Sequence, residues 1–115
     1  MGLSRHDINL IRKIVIESCK IPDLKSINIS ATHTHSAVDT LGLWGEKIYK
    51  CGRNEAFMEK LRRKTAEAII SSYENRADGK LFYSVNKTQD MQFDCRTPDT
   101  FDSNLTKIRF ESFDG

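Results

Sequence analysis

The feature that most constrains the fold is a short alternating segment, Ser26 to Ala31, that follows closely on an amphipathic stretch. Every second residue in it is apolar, which predicts a strand over 26–31 with one apolar face. The preceding stretch, 4–20, has apolar residues at helical spacing, begins at the capping residue Ser4 and ends before a turn signal, Pro22-Asp23. A helix followed by a short strand is typical of α/β proteins. Because no strand precedes this helix, we expect neighbouring strands of a larger domain to lie outside the chain.

A second amphipathic stretch and two alternating segments follow. Asn54 can cap a helix over 54–75, whose apolar residues recur at helical spacing. Alternation predicts strands over 80–88 and 104–113. We therefore predict an α/β fold in which two amphipathic helices pack on a small mixed β-sheet, as one domain over 1–115 or a fragment of one. Three short strands give too little sheet to cover both helices, so we expect exposed apolar surface or self-association.

The charge balance gives little reason to expect a nucleic-acid partner. The 115 residues include 18 basic and 16 acidic ones, for a formal net charge of +2, whereas nucleic-acid-binding domains usually concentrate positive charge. The longest basic cluster, Arg62 to Lys64, has Glu59 and Glu67 at helical spacing. This pattern predicts a solvated, ion-paired helix face.

The sequence shows neither a membrane-spanning run nor a secretion signal. No apolar run approaches the length that crosses a bilayer, and Arg5 and Asp7 interrupt the N-terminal run. The three cysteines, Cys19, Cys51 and Cys95, are widely spaced and form no C-x-x-C motif. These observations favour a cytoplasmic location.

Two histidines separated by one residue, His33 and His35, directly follow the predicted strand. If the extended backbone continues, both imidazoles project to one face and can reach one metal ion, and neutral imidazole is a good zinc ligand. The alternative is two ordinary polar residues at a strand end. We expect the third histidine, His6, to be exposed in the first turn of its helix and not to bind the metal.

The loop over 32–53 is long, rich in glycine and too apolar for a disordered linker. We therefore expect an ordered loop that packs near the site. A tryptophan is usually largely buried, so we expect Trp44 to fill the core beneath this loop rather than to stack on a ligand.

The histidine segment carries a resemblance to a known family. The run Asn28-Ile29-Ser30-Ala31-Thr32-His33-Thr34-His35-Ser36 resembles the histidine motif of the neutral/alkaline ceramidases. The continuation Asp39-Thr40-Leu41-Gly42-Leu43-Trp44-Gly45 is similar to a bacterial and archaeal branch of ceramidase-like proteins. Ala37-Val38 stands where that family commonly has Gly-Pro.

The resemblance implies zinc-dependent hydrolysis of an amide bond in an N-acylated lipid such as ceramide, within an α/β hydrolase domain. It implies that His35 binds zinc and that His33 is a second ligand or orients one. Thr34, Ser36 and Asp39 are then expected around the two ligands. The resemblance also implies that a further histidine, a glutamate and a tyrosine complete the site from segments outside this chain.

Two functions stay open at this point. In the first, the chain is a fragment of a ceramidase-like zinc hydrolase that is inactive alone and whose catalytic residues are unidentified. In the second, it is a small non-catalytic α/β module for binding or oligomerisation, and the histidines are incidental.

Overall fold

The computed structural model describes residues 2–19, 26–88, 94–98 and 100–113, which fall into two compact units. The first unit, Met1–Asn75, contains helices α1 (Arg5–Ser18) and α2 (Glu55–Glu74). The second unit, Arg76–Gly115, contains strands β1 (Gly79–Lys87) and β2 (Asn104–Ser112).

Two helices and a small sheet confirm the predicted α/β class. The bounds of all four elements lie within two residues of the prediction. The turn predicted at Pro22-Asp23 lies outside the described residues. Neither α1 nor α2 is long and apolar enough to cross a membrane, and the described part of the chain has no other helix.

Both helices begin at the capping residues that the sequence predicts. Ser4 Oγ accepts a hydrogen bond from the backbone N–H of Asp7 at 3.1 Å, and Asn54 Oδ1 accepts one from Phe57 at 3.0 Å. The first N–H groups of a helix have no partner within the helix, so a cap of this kind stabilises it by about 1 kcal/mol.

A small aliphatic core joins the two helices. Ile11 and Val15 of α1 and Ala66 of α2 are buried together. The partly buried residues that pack against them are Ile14, Ile27, Ile29, Ile69 and Ile70. Burying one large aliphatic side chain contributes about 1.5–3 kcal/mol, so this cluster fixes α1 against α2 and anchors the segment that leads to the histidines.

The strand predicted over 26–31 is wrong, because this segment joins no β-ladder within the described residues. The carbonyl oxygen of Ile27 accepts a hydrogen bond from Arg12 Nε at 3.0 Å instead of one from a neighbouring strand. The apolar alternation still has a structural role, since Ile27 and Ile29 pack on the helical core. Ala31, predicted to share their face, is exposed.

Strands β1 and β2 pair antiparallel over nine residues, with Gly79 opposite Ser112 and Lys87 opposite Asn104. Paired residues lie on the same face of a sheet, so the register places five apolar residues of the two strands on one face, while Phe82 and Leu105 lie on the other. The five are Leu81, Tyr83, Val85, Ile108 and Phe110. All five are exposed, which confirms the expectation of exposed apolar surface.

Candidate metal site

His33 and His35 lie in an exposed segment where the backbone changes direction. His33 has a φ of 55°, in the left-handed region that non-glycine residues seldom adopt. The backbone therefore does not continue extended through His33, which was the condition for both imidazoles to project to one face. The two imidazoles nevertheless lie side by side, with ring centroids 5.0 Å apart and ring planes at 60°. Both predicted ligands are thus brought together, by a turn rather than by a strand.

The separation of the two ring centroids equals that of two ligands on one ion, and it is also an ordinary contact distance between aromatic rings. An imidazole nitrogen binds zinc at roughly 2.0–2.1 Å, so two imidazoles on one tetrahedral ion have centroids about 5 Å apart. Among the described residues, no group of three or more His, Cys, Asp and Glu side chains is placed to hold a metal. A catalytic zinc has about three protein ligands, and this part of the chain supplies at most two. His6 is exposed in the first turn of α1, as predicted.

The carboxylate of Asp39 organises the loop that follows the histidines. Its Oδ1 accepts hydrogen bonds from the backbone N–H groups of Leu41 at 3.0 Å and Gly42 at 2.8 Å, and its Oδ2 accepts one from Trp44 at 2.7 Å. Partial burial acts to raise the pKa of Asp39, but these N–H groups, above all that of Trp44, stabilise the charged form and lower the pKa. Both oxygens therefore bind the loop backbone.

A shallow pocket of about 310 Å³ adjoins the histidine segment. Its wall includes Thr32 and Thr34, on either side of His33, together with Leu61 and Thr65 of α2. Within the described residues, neither histidine belongs to this wall. Thr34 Oγ1 also accepts a hydrogen bond from the backbone N–H of Ser36 at 3.4 Å. Hydroxyl groups and apolar surface therefore line this pocket together.

A buried ion cluster ties the end of the loop to both helices. Asp7 is inaccessible to solvent, and its carboxylate receives Arg53 Nη2 at 2.6 Å, Arg53 Nη1 at 2.9 Å and Arg62 Nη1 at 2.8 Å. Ser4 Oγ donates to the same carboxylate. The hydrogen bonds from Arg53, assisted by Ser4 and Arg62 and opposed by burial, hold the pKa of Asp7 well below its usual range.

The prediction of a solvated, ion-paired helix face is wrong for Arg62 and correct for Arg63 and Lys64. The Arg62 side chain is only 14 % exposed and pairs with Asp7, because α2 turns it toward the start of α1. Arg63 and Lys64 are exposed, and Lys64 pairs with Glu67 at 2.6 Å, as predicted for a solvated face. Sequence spacing along one helix carries no signal for a partner 55 residues away.

The prediction that Trp44 fills the core is also wrong, since its side chain is 74 % exposed. The loop folds backbone against backbone at two glycines. A Cβ on Gly45 would lie 1.4 Å from the Lys50 carbonyl oxygen, and one on Gly52 would lie 1.3 Å from the Trp44 carbonyl oxygen. Because the backbone fills the inside of the loop, its large side chains project outward.

Comparisons of the chain with models of protein families, with curated proteins and with solved structures found no match.

Proposed function

We propose that this chain is part of a zinc-dependent amide hydrolase in which His35 and His33 hold the metal. The observation that carries this function is the 5.0 Å separation of two exposed imidazoles, which suits a shared ion. The resemblance of the histidine segment to the neutral/alkaline ceramidases supports the reaction class. It also points to an N-acylated lipid as the substrate.

The surroundings of the pair support a preorganised site. Ile29, four residues before His33, packs on the helical core, and Asp39, four residues after His35, binds the loop backbone. A non-glycine residue in the left-handed region costs of order 1–3 kcal/mol and persists where its surroundings hold it, commonly at functional sites. The conformation of His33 is such a case. Ligands held in place lose less freedom when an ion binds.

Each group has a defined part in this chemistry. A bound zinc ion supplies Lewis acidity toward the amide carbonyl and toward a water molecule. His33 and His35 would hold the ion through neutral imidazole nitrogens. Thr34 and Ser36 adjoin the two histidines in sequence, and a hydroxyl that accepted the second ring N–H would fix the tautomer. The resemblance implies that the remaining ligands come from segments outside this chain, so we expect the chain alone to bind zinc weakly and to turn over no substrate.

Calorimetric titration with zinc tests this function. We expect one zinc ion per chain, with binding lost in His33→Ala/His35→Ala. His6→Ala is the matched control, because it removes the third histidine from an exposed helical position, and it should bind as the original chain does. Circular dichroism checks that each variant folds. Unchanged zinc binding in the double variant would rule the site out.

The second candidate is a non-catalytic binding or oligomerisation module, and the apolar face of the β1–β2 hairpin favours it. Two strands bury little apolar surface by themselves, so burial of that face against a partner or a second copy would stabilise the sheet. This candidate predicts a mass that rises with concentration and returns to the monomer in Phe110→Ser, with no effect of zinc. Phe110 is 79 % exposed, so its replacement leaves the helical core intact.

A further inference from the structure

The loop after the histidine segment exposes four large apolar side chains within seven residues. Leu43 is 68 % exposed, Trp44 74 % and Tyr49 84 %, and Ile48 is fully exposed. Single exposed apolar residues are normal on protein surfaces, but several on one short projecting loop mark a contact site. We name residues 43–50 the apolar loop.

The backbone holds these side chains outward. The close approaches of Gly45 to Lys50 and of Gly52 to Trp44 bring the two arms of the loop together. The backbone N–H of Lys50 donates to the Lys47 carbonyl at 2.9 Å, which closes a turn with Ile48 and Tyr49 at its two central positions. The Asp39 carboxylate fixes the base of the loop through the Trp44 N–H. The apolar tip therefore projects from a fixed base.

The charged groups around the tip favour an anionic lipid surface. Lys47 and Lys50 flank Ile48 and Tyr49, and Glu46 is the one acidic residue of the apolar loop. Lys50 pairs with Glu46, and the Lys47 ammonium lies 5.9 Å from the Tyr49 ring centroid. Two lysines against one glutamate leave the tip weakly positive. Lysine stems can lie along apolar surface while the ammonium reaches the headgroups, and tryptophan and tyrosine favour the membrane–water interface.

We propose that the apolar loop inserts its tip into the surface of a lipid bilayer, with Ile48 and Tyr49 deepest and Lys47 and Lys50 at the headgroups. A bilayer accepts a projecting convex turn without a matching cavity, whereas a protein partner needs a concave pocket of complementary shape. The flanking lysines add attraction to anionic lipids. This membrane contact goes beyond amide hydrolysis and uses neither His33 nor His35.

The chain carries its own probe, because Trp44 is the only tryptophan in the sequence. Titration with phosphatidylcholine vesicles, with and without phosphatidylserine, should shift the Trp44 emission to the blue and protect it from iodide. Binding should be tighter to the vesicles that contain phosphatidylserine. Ile48→Ser/Tyr49→Ser should weaken binding by roughly tenfold or more for each side chain, as expected for removing a buried apolar group.

A matched control distinguishes vesicle binding through the apolar loop from binding through other exposed apolar side chains. Ile16→Ser/Phe113→Ser removes an isoleucine and an aromatic residue from exposed positions outside the apolar loop, and it should bind vesicles as the original chain does. His33→Ala/His35→Ala should also bind vesicles normally, so a failure of the zinc site is distinguishable from a failure of membrane binding. No emission shift with either vesicle, or equal weakening by the control, would overturn the inference. So would self-association that depends on Ile48 and Tyr49 in the absence of vesicle binding.

Discussion

The guanidinium of Arg53 binds the buried carboxylate of Asp7 through both of its Nη atoms, at 2.6 and 2.9 Å, across 46 residues of sequence. Arg53 directly precedes the cap of α2, and Asp7 lies in the first turn of α1. The Arg53 Nη1 also donates to the Thr40 carbonyl at 3.3 Å. One side chain thereby links the starts of both helices to the loop that follows the histidines.

Removal of the Asp7 carboxylate should be the most damaging single change in this cluster. Asp7→Ala leaves the Arg53 and Arg62 guanidinium groups, 13 % and 14 % exposed, without their shared anion. Breaking a buried ion pair from one side costs about 3–5 kcal/mol. Denaturant unfolding measures the loss. Glu67→Ala is the control, since it breaks an exposed ion pair with Lys64 and should lower the unfolding free energy much less than Asp7→Ala does. Equal losses in the two variants would contradict a structural role for the cluster.

The same carboxylate should make stability depend on acid. The pKa of Asp7 is lowered in the folded chain from an ordinary value of 3.8. Above 3.8 both states are ionised and the stabilisation is complete; as the pH falls below 3.8, the unfolded chain takes up a proton first and the stabilisation is progressively lost. The difference in unfolding free energy between the original chain and Asp7→Asn should therefore be constant from pH 7 to about pH 5 and shrink below that. A difference that stays constant down to about pH 2 would contradict the lowered pKa.

The close backbone contact between Gly52 and Trp44 predicts that one added methyl group destabilises the loop. Gly52→Ala places a Cβ against the Trp44 carbonyl, so the loop must open, and we expect a loss of about 1–3 kcal/mol, as for overpacking. Trp44 emission should change as well. Gly2→Ala is the matched control, because its Cβ would lie 3.7 Å from Leu41 Cδ1, an ordinary contact. It should change the unfolding free energy by no more than about 0.5 kcal/mol. Indistinguishable emission spectra for the two variants would show that the loop is open already.

Replacement of Asp39 distinguishes loop organisation from metal binding. Asp39→Asn replaces one acceptor oxygen with a donor group, so one of the N–H groups of Leu41, Gly42 and Trp44 loses its partner. We expect easier iodide quenching of Trp44 and a lower unfolding free energy than in the original chain. Zinc binding should persist in this variant, in contrast to His35→Ala. Loss of zinc binding equal to that of His35→Ala would instead make Asp39 a ligand.

Local sequence signals predicted α1, α2, β1 and β2 well, but they failed for the strand over 26–31 and predicted the surroundings of the elements poorly. Ser4 and Asn54 mark the helix starts because a cap acts within three residues. Alternation marks β1 and β2, because the period of two belongs to the strand itself. The pairing of Asp7 with Arg53, by contrast, depends on how two helices pack, and no local pattern encodes it.

For the candidate metal site, too, the sequence indicated the residues but not the structure around them. The sequence predicted which two histidines meet, but through an extended strand, whereas the contact depends on the left-handed backbone at His33. Trp44 was expected inside the protein, because the size of an apolar side chain indicates burial only on average. Gly45 and Gly52 can both be read from the sequence. The backbone contact that requires glycine at these positions forms only where the two arms of the loop meet.

The most direct test of the metal site is the NMR spectrum of the three imidazole rings in the ¹⁵N-labelled chain, recorded before and after zinc is added. We predict that the ring nitrogen signals of His33 and His35 shift together and saturate at one zinc ion per chain, while those of His6 stay in place. Equal shifts at all three histidines, or no shift at His33 and His35, would contradict a metal site at this pair.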